Sequence, residues 1–272
     1  MKLLFFISLI GVLNMSAFAQ APRTADDVLN SLQNNVIKTL LEGNQRYLDQ
    51  KMHVCSENTT KATREQLAKG QKPYAIILSC SDSRVPPELI FDQDPGDIFV
   101  VRVAGNIVDP ILLGSIEYAA EHLGSPIIVV LGHERCGAVT AAVKSHGPAE
   151  GNIGSIIEAI TPAVEEAKKK ATGINEIQLV ENAIDENIHL VAQNIFNRSS
   201  VIRHLMQVNK IKMIEAKFDL DEGKVNLFPE VKYKVVPEET EKQGIPNVKK
   251  FIYRKKESVP HSEHEIKTTK EH

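Results

Sequence analysis

The sequence predicts an α/β fold with a mostly parallel central β-sheet flanked by helices. Three short, continuously apolar runs carry this prediction, because such runs are typical of strands buried on both faces of a parallel sheet. They span residues 74–78, 98–103 and 127–131. Segments with apolar residues at helical spacing lie between and after these runs, and such alternation is typical of an α/β domain.

The remaining elements are predicted in chain order from periodicity and capping signals. An amphipathic helix is expected over Ala25–Gln50, which Gly43 could interrupt, and a capping box at Thr63–Gln66 predicts a short helix that ends at Gly70. A fourth strand is expected at 211–220, and the turn signal that follows it makes 225–228 a candidate hairpin partner. Further helices are predicted at 111–123, 138–144, 154–170 and 175–208.

Composition excludes several classes of protein. The chain has 272 residues, a charged fraction of 25% and a hydrophobic fraction of 42%, which are ordinary values for a globular protein. Its formal net charge of -3 argues against a nucleic-acid binder, which usually carries a basic excess. Three cysteines are too few to hold a chain of this length together by disulfides.

The two ends of the chain differ from its centre. Residues 1–19 resemble a secretory signal peptide: Lys2 precedes a short apolar run, and Ala17-Phe18-Ala19 is a small-x-small cleavage pattern. We therefore expect a periplasmic or secreted protein with no membrane span after cleavage, and a single domain over 20–228. Residues 229–272 are charged and poor in apolar groups, so we expect a solvated, disordered extension. Edge strands or contacts with a partner subunit at 231–236 and 248–253 are the alternative.

Side chains that could bind a metal or react follow two of the predicted strands. Cys80 follows the first apolar run, and His133 and Cys136 follow the third. Ligands of open α/β sheets bind beyond the carboxyl ends of the strands, where these side chains could meet. Two thiolates and an imidazole favour zinc, and three protein ligands leave the fourth position open, as in catalytic zinc sites. Spacing alone leaves a Cys80–Cys136 disulfide or a structural metal equally open, and Asp82 and Arg84 could be a plain ion pair.

Several motifs in order resemble the β-class carbonic anhydrases over residues 40–228. They include Cys80-Ser81-Asp82-Ser83-Arg84, Ala104-Gly105-Asn106 and Gly132-His133-x-x-Cys136-Gly137, together with segments 40–47, 95–102 and 115–119. The resemblance implies the β-carbonic anhydrase fold, with one zinc ion per subunit held by Cys80, His133 and Cys136. It also implies an Asp82–Arg84 dyad, in which the aspartate accepts a hydrogen bond from zinc-bound hydroxide or, in a closed form, becomes the fourth zinc ligand.

The activity implied by this resemblance is the reversible hydration of carbon dioxide to bicarbonate and a proton, by attack of zinc-bound hydroxide. The residues that match the family's substrate pocket are Gln71, Phe99, Tyr118 and Gly137, and part of that pocket comes from a neighbouring subunit. The helix over Ala25–Gln50 is expected to cross onto a partner in a homodimer or homotetramer. No nucleic-acid partner is expected.

The sequence departs from one subgroup of the family. Members of that subgroup carry an inhibitory bicarbonate site with Trp and Gly where this chain has Ile77 and Ser79, and this chain contains no Trp. We therefore predict an enzyme that is open at neutral pH. A zinc hydrolase acting on carbonyl sulfide or carbon disulfide, and a non-enzymatic member with a Cys80–Cys136 disulfide, remain as alternatives. Cys55 is a spare thiol in all of these interpretations.

Overall fold

A five-stranded sheet forms the centre of the computed structural model, which describes residues 24–54, 60–147, 151–170 and 173–235. The strand order is β2-β1-β3-β4-β5, and all neighbouring pairs are parallel except β4 and β5. This arrangement confirms the predicted fold class, including the terminal hairpin. The strands are β1 (Ala75–Ser79), β2 (Ile98–Arg102), β3 (Ile127–His133), β4 (Lys212–Phe218) and β5 (Val225–Leu227).

Eight α-helices within these residues surround the sheet. Helix α7 packs on β3 and β4 and also contacts α5 and α6, whereas α4 packs on β1 and β2. No helix of the described ranges has the length and hydropathy needed to cross a membrane. The helices are α1 (Ala25–Leu48), α2 (Lys61–Leu67), α3 (Pro87–Ile90), α4 (Pro110–Glu121), α5 (Gly137–Lys144), α6 (Ile153–Lys170), α7 (Glu176–Arg198) and α8 (Ser200–Gln207).

Helix α1 continues through Gly43, so the suggested interruption does not occur. Gly43 is buried, and a Cβ atom at this position would lie 1.7 Å from the carbonyl oxygen of Phe91. The glycine therefore permits close contact between α1 and the backbone that follows α3, and it does not end the helix.

Two helix boundaries differ from the predicted ones. Thr60, rather than Thr63, is the N-cap of α2, and its hydroxyl accepts the Thr63 N–H at 3.2 Å. The single helix expected over 175–208 is two helices, because Ser199 leaves the helical conformation and caps α8 by accepting the Ile202 N–H at 3.0 Å. Apolar spacing continues across Ser199, so periodicity alone could not show the break.

The described chain continues beyond Phe228 and packs on the domain. The Tyr233 ring stacks on Phe196 with ring centroids 5.8 Å apart, and its hydroxyl donates to the buried carboxylate of Glu215 at 2.6 Å. The carbonyl of Lys234 accepts a hydrogen bond from Gln193. Tyr233 and the Lys234 carbonyl thus contact the folded domain, although the sequence placed both residues in the extension. The predicted signal peptide, Cys55 and residues 236–272 lie outside the described residues.

Candidate metal centre

Three side chains meet at the carboxyl edge of β1 and β3. These strands are adjacent and parallel, with Ser79 paired to Leu131, so the segments that follow them emerge side by side. Cys80 follows β1, His133 is the last residue of β3, and Cys136 precedes α5. The two Sγ atoms and one imidazole nitrogen all lie within 4.8 Å of one another, and all three residues are buried. The structure therefore brings together the three residues that the sequence selected.

The imidazole of His133 is oriented to donate to a metal ion. Its Nδ1 lies 2.8 Å from the carbonyl oxygen of Glu134, and because a carbonyl only accepts, Nδ1 carries the proton. The lone pair is therefore on Nε2, which is buried and has no hydrogen-bond partner among the described residues. A buried acceptor without a partner is unfavourable, and a metal ion would satisfy it. This donor set fits zinc.

The two thiols are free in the structure and are not bonded to each other. A hydrogen bond with the Cys136 thiol lowers the pKa of Cys80, and contacts with His133 and the backbone N–H groups of Asp82 and Gly105 lower it further. The pKa of Cys136 is raised, first by its hydrogen bond with Cys80 and then by burial.

Asp82 and Arg84 form a two-pronged ion pair beside the three donors. The guanidinium donates from Nε to Oδ1 at 2.9 Å and from Nη2 to Oδ2 at 2.7 Å, and the Arg84 N–H also donates to Oδ1. These bonds hold the pKa of the Asp82 carboxyl well below its usual range, so the group is ionised at neutral pH. Asp82 Oδ2 lies 3.9 Å from His133 Nε2, which places the carboxylate next to the candidate metal position.

Sequence reasoning missed the contribution of Arg102. Its Nε donates to the carbonyl oxygen of Cys80 at 2.9 Å, and its Nη2 donates to that of Asp82 at 2.6 Å. Arg102 thus holds both ends of the turn that carries a candidate ligand and the dyad aspartate. The residue ends β2, which neighbours β1 in the sheet, so attention to all strand ends could have found it.

Three of the four expected pocket residues lie away from this centre. Phe99 is three register positions before the carboxyl end of β2, which is roughly 10 Å along the strand. Its ring packs against that of Tyr118, with the two ring centroids 6.2 Å apart. Gln71 is exposed and precedes β1, at the end of the strand opposite Cys80. Gly137 alone adjoins the centre, because it follows Cys136 as the first residue of α5.

Fold and site together define an α/β protein with a buried Cys-His-Cys group able to bind a metal at the carboxyl edge of its sheet. A family model described as carbonic anhydrase matches residues 75–225. Carbonic anhydrase 2 of Mycobacterium tuberculosis is 37% identical over 193 residues, which cover 70% of this chain and 90% of that protein.

Solved structures agree with these sequence matches. The β-carbonic anhydrase CcaA aligns with a TM-score of 0.56 at 27% identity and covers 71% of this chain and 95% of its own. A structure from a study of two tetrameric β-carbonic anhydrases of Sordaria macrospora aligns with a TM-score of 0.57 at 26% identity. The alignment covers 71% of this chain and 96% of that chain. The chain belongs to the β-class carbonic anhydrase family and is a carbonic anhydrase.

Proposed function

We propose that each subunit binds one zinc ion through Cys80, His133 and Cys136 and catalyses the reversible hydration of carbon dioxide to bicarbonate and a proton. The observation that carries this proposal is the buried, unpartnered His133 Nε2 beside two free thiols. Zinc bound there would lower the pKa of its water far below that of bulk water, to about 7, and would so supply hydroxide for attack on the carbon of carbon dioxide.

The protein's own residues orient the reaction. An ionised Asp82 can only accept a hydrogen bond, so it selects an O–H group that points toward it and leaves the oxygen lone pair free for the substrate. Arg84 fixes the carboxylate in this role through its two-pronged contact. The same contact supports the proposal that the enzyme is open at neutral pH, since an Asp82 bound to Arg84 is held in the accepting position. Arg102 keeps the backbone of the turn in place.

We further propose that the active form is a dimer or tetramer in which Gln71, Phe99 and Tyr118 line the pocket of a neighbouring subunit. Four observations support this. Gln71 and Phe99 lie at the end of the sheet opposite their own metal centre, Tyr118 packs against Phe99, and Tyr118 is 47% exposed in the single chain. Val28 and Leu32 form an exposed apolar stripe on α1 that suits a partner contact. The Sordaria relatives are described as tetrameric.

Export through the signal peptide of residues 1–19 is a separate proposal. It rests on the charged start, apolar run and cleavage pattern of the sequence. Cell fractionation and intact mass of the purified protein test it. We expect periplasmic or secreted material with an N-terminus near Gln20, and full-length protein in the cytoplasm would contradict this.

Metal analysis combined with stopped-flow carbon dioxide hydration tests the enzymatic proposal. We expect one zinc per subunit, and we expect Cys136→Ser to lose both zinc and activity. Asp82→Asn should retain zinc and lose about 10²-fold or more in turnover, the usual contribution of a positioned acid–base group. Cys55→Ser is the matched thiol control and should keep both properties.

Two results would contradict the enzymatic proposal. A Cys80–Cys136 disulfide with no bound zinc would favour the non-enzymatic alternative. Faster release of sulfide from carbonyl sulfide or carbon disulfide than hydration of carbon dioxide would favour the hydrolase.

A further inference from the structure

A buried asparagine on α7 reaches the backbone that supports Cys80. Asn187 is 1% exposed, and its Nδ2 donates to the carbonyl oxygen of Gly105 at 2.9 Å, across 82 positions of sequence. Gly105 in turn presents its N–H to Cys80 Sγ at 3.3 Å. A chain of two hydrogen bonds therefore runs from the middle of a helix to one of the three donors, although Asn187 touches none of them directly.

Gly105 needs an external constraint to hold this orientation. Its φ is +70° within the turn of residues 104–106, and a Cβ atom there would lie 2.6 Å from Ile160 Cδ1, so glycine is required. Because glycine has no Cβ atom, its own side chain does not restrict the backbone, and neighbouring groups must hold it in place. The N–H that faces the sulfur and the C=O that Asn187 binds flank the same Cα. Fixing the carbonyl therefore restricts the direction of the N–H.

The side chain of Asn187 is not explained by packing stability alone. Its Oδ1 is buried and has no hydrogen-bond partner among the described residues, which is unfavourable for an amide placed in a core. The donor half of the same amide makes the bond to Gly105. A residue present only to stabilise the core would be apolar or would have both halves of its amide satisfied.

We propose that Asn187 is a positioning residue of the metal centre. By holding Gly105, it keeps an N–H directed at Cys80 Sγ and draws electron density from that thiolate, which sets how strongly the sulfur donates to the metal. This inference rests on the proposed binding of zinc by Cys80, His133 and Cys136.

Cobalt substitution gives a readout that loss of stability does not imitate. In the Co²⁺-loaded protein, thiolate-to-cobalt charge-transfer absorption reports the electron density on sulfur. We expect Asn187→Leu, which keeps the size of the side chain but has no donor, to shift this band to lower energy. Because Gly105 and the Cys80 sulfur are then no longer held in position, we also expect the substitution to weaken zinc binding about tenfold or more in competition with a chelator, the usual effect of removing a group that supports a metal ligand.

Asn44→Leu is the matched control. Asn44 is also a buried asparagine, but its amide binds the carbonyls of Ile90 and Gly223 and the N–H of Val225. Its loss should destabilise the fold and leave the charge-transfer band unchanged. If Asn187→Leu does not fold, Asn187→Ala removes the same donor without adding apolar volume and is measured in its place.

The outcomes separate this inference from the proposed function. A wild-type protein that binds neither zinc nor cobalt would defeat both. Wild-type binding with an unchanged band and zinc affinity in the Asn187 variant would overturn the positioning role alone. An equal band shift in Asn44→Leu would also overturn it, because the effect would then be general loosening of the fold.

Discussion

Replacing Tyr233 by Phe tests whether the chain beyond Phe228 is part of the folded domain. The substitution keeps the ring that stacks on Phe196 and removes only the hydroxyl that donates to Glu215 Oε1 at 2.6 Å. Glu215 is 4% exposed in β4, and its other oxygen is bound by His189. The variant therefore leaves one oxygen of a buried carboxylate without this donor.

The expected cost follows from that arrangement. A hydrogen bond to a charged group contributes about 1.5–3 kcal/mol, and an unsatisfied buried acceptor costs a similar amount. We therefore expect Tyr233→Phe to lower the free energy of unfolding by about 2 kcal/mol. Ring packing contributes nothing to the difference, because the phenyl group remains.

Urea unfolding of the full chain measures this loss. Tyr47→Phe is the control, because that ring packs on Phe218 and its hydroxyl makes no hydrogen bond within the described ranges. We expect less than about 0.5 kcal/mol for the control, as is usual where no specific interaction is removed. Equal and small losses in both variants would refute the reasoning and return Tyr233 to the solvated extension.

Three further predictions concern other contacts. Gly43→Ala should lower the free energy of unfolding by about 2 kcal/mol in thermal or urea unfolding, because the new Cβ would lie 1.7 Å from the carbonyl oxygen of Phe91 and α1 would have to shift. An unchanged free energy of unfolding would contradict this close contact. The hydrogen bond to Glu215 raises the pKa of His189 in the folded state. The pair therefore stabilises the fold fully below about pH 6.5, and this contribution is lost as pH rises through the higher folded-state pKa. The free energy of unfolding measured across pH should show this loss, and His189→Gln should flatten the profile. Ser199→Ala should cost about 1–2 kcal/mol by calorimetry, since it removes the cap of α8 and a bond to Glu117, and an unchanged transition would contradict the capping role.

The strands and the three donor residues were predictable because each depends on a local signal. Continuous apolar runs marked β1, β2 and β3, and the polar residues directly after β1 and at the end of β3 marked the site. Apolar character stopped at Leu131, whereas β3 extends two residues further, through Gly132 to His133. Pairing with β4 continues the strand there, and no local pattern reports on a neighbouring strand.

Contacts between distant segments were the part that could not be predicted. The bond from Asn187 to Gly105 depends on which elements become neighbours in space. The break at Ser199 was hidden for a similar reason, since the helices on both sides bury apolar residues at the same spacing. Tyr233 was assigned to a solvated tail because its binding partner, Glu215, lies on a different element.

The pairing of β1 with β3 also determines when the site can form during folding. Ser79 meets Leu131, and β3 then pairs with β4 at Lys212, so the sheet depends on parallel contacts between residues far apart in sequence. Contacts of this kind form slowly, because a long loop must close before the pairing stabilises the chain. We therefore expect Cys80 and Cys136 to stay separate and accessible until β1 and β3 pair. If the chain is exported as proposed, the interval before β1 joins β3 is when an oxidant can reach both thiols, so the yield of metal-competent enzyme depends on the rate of sheet assembly as well as on zinc affinity.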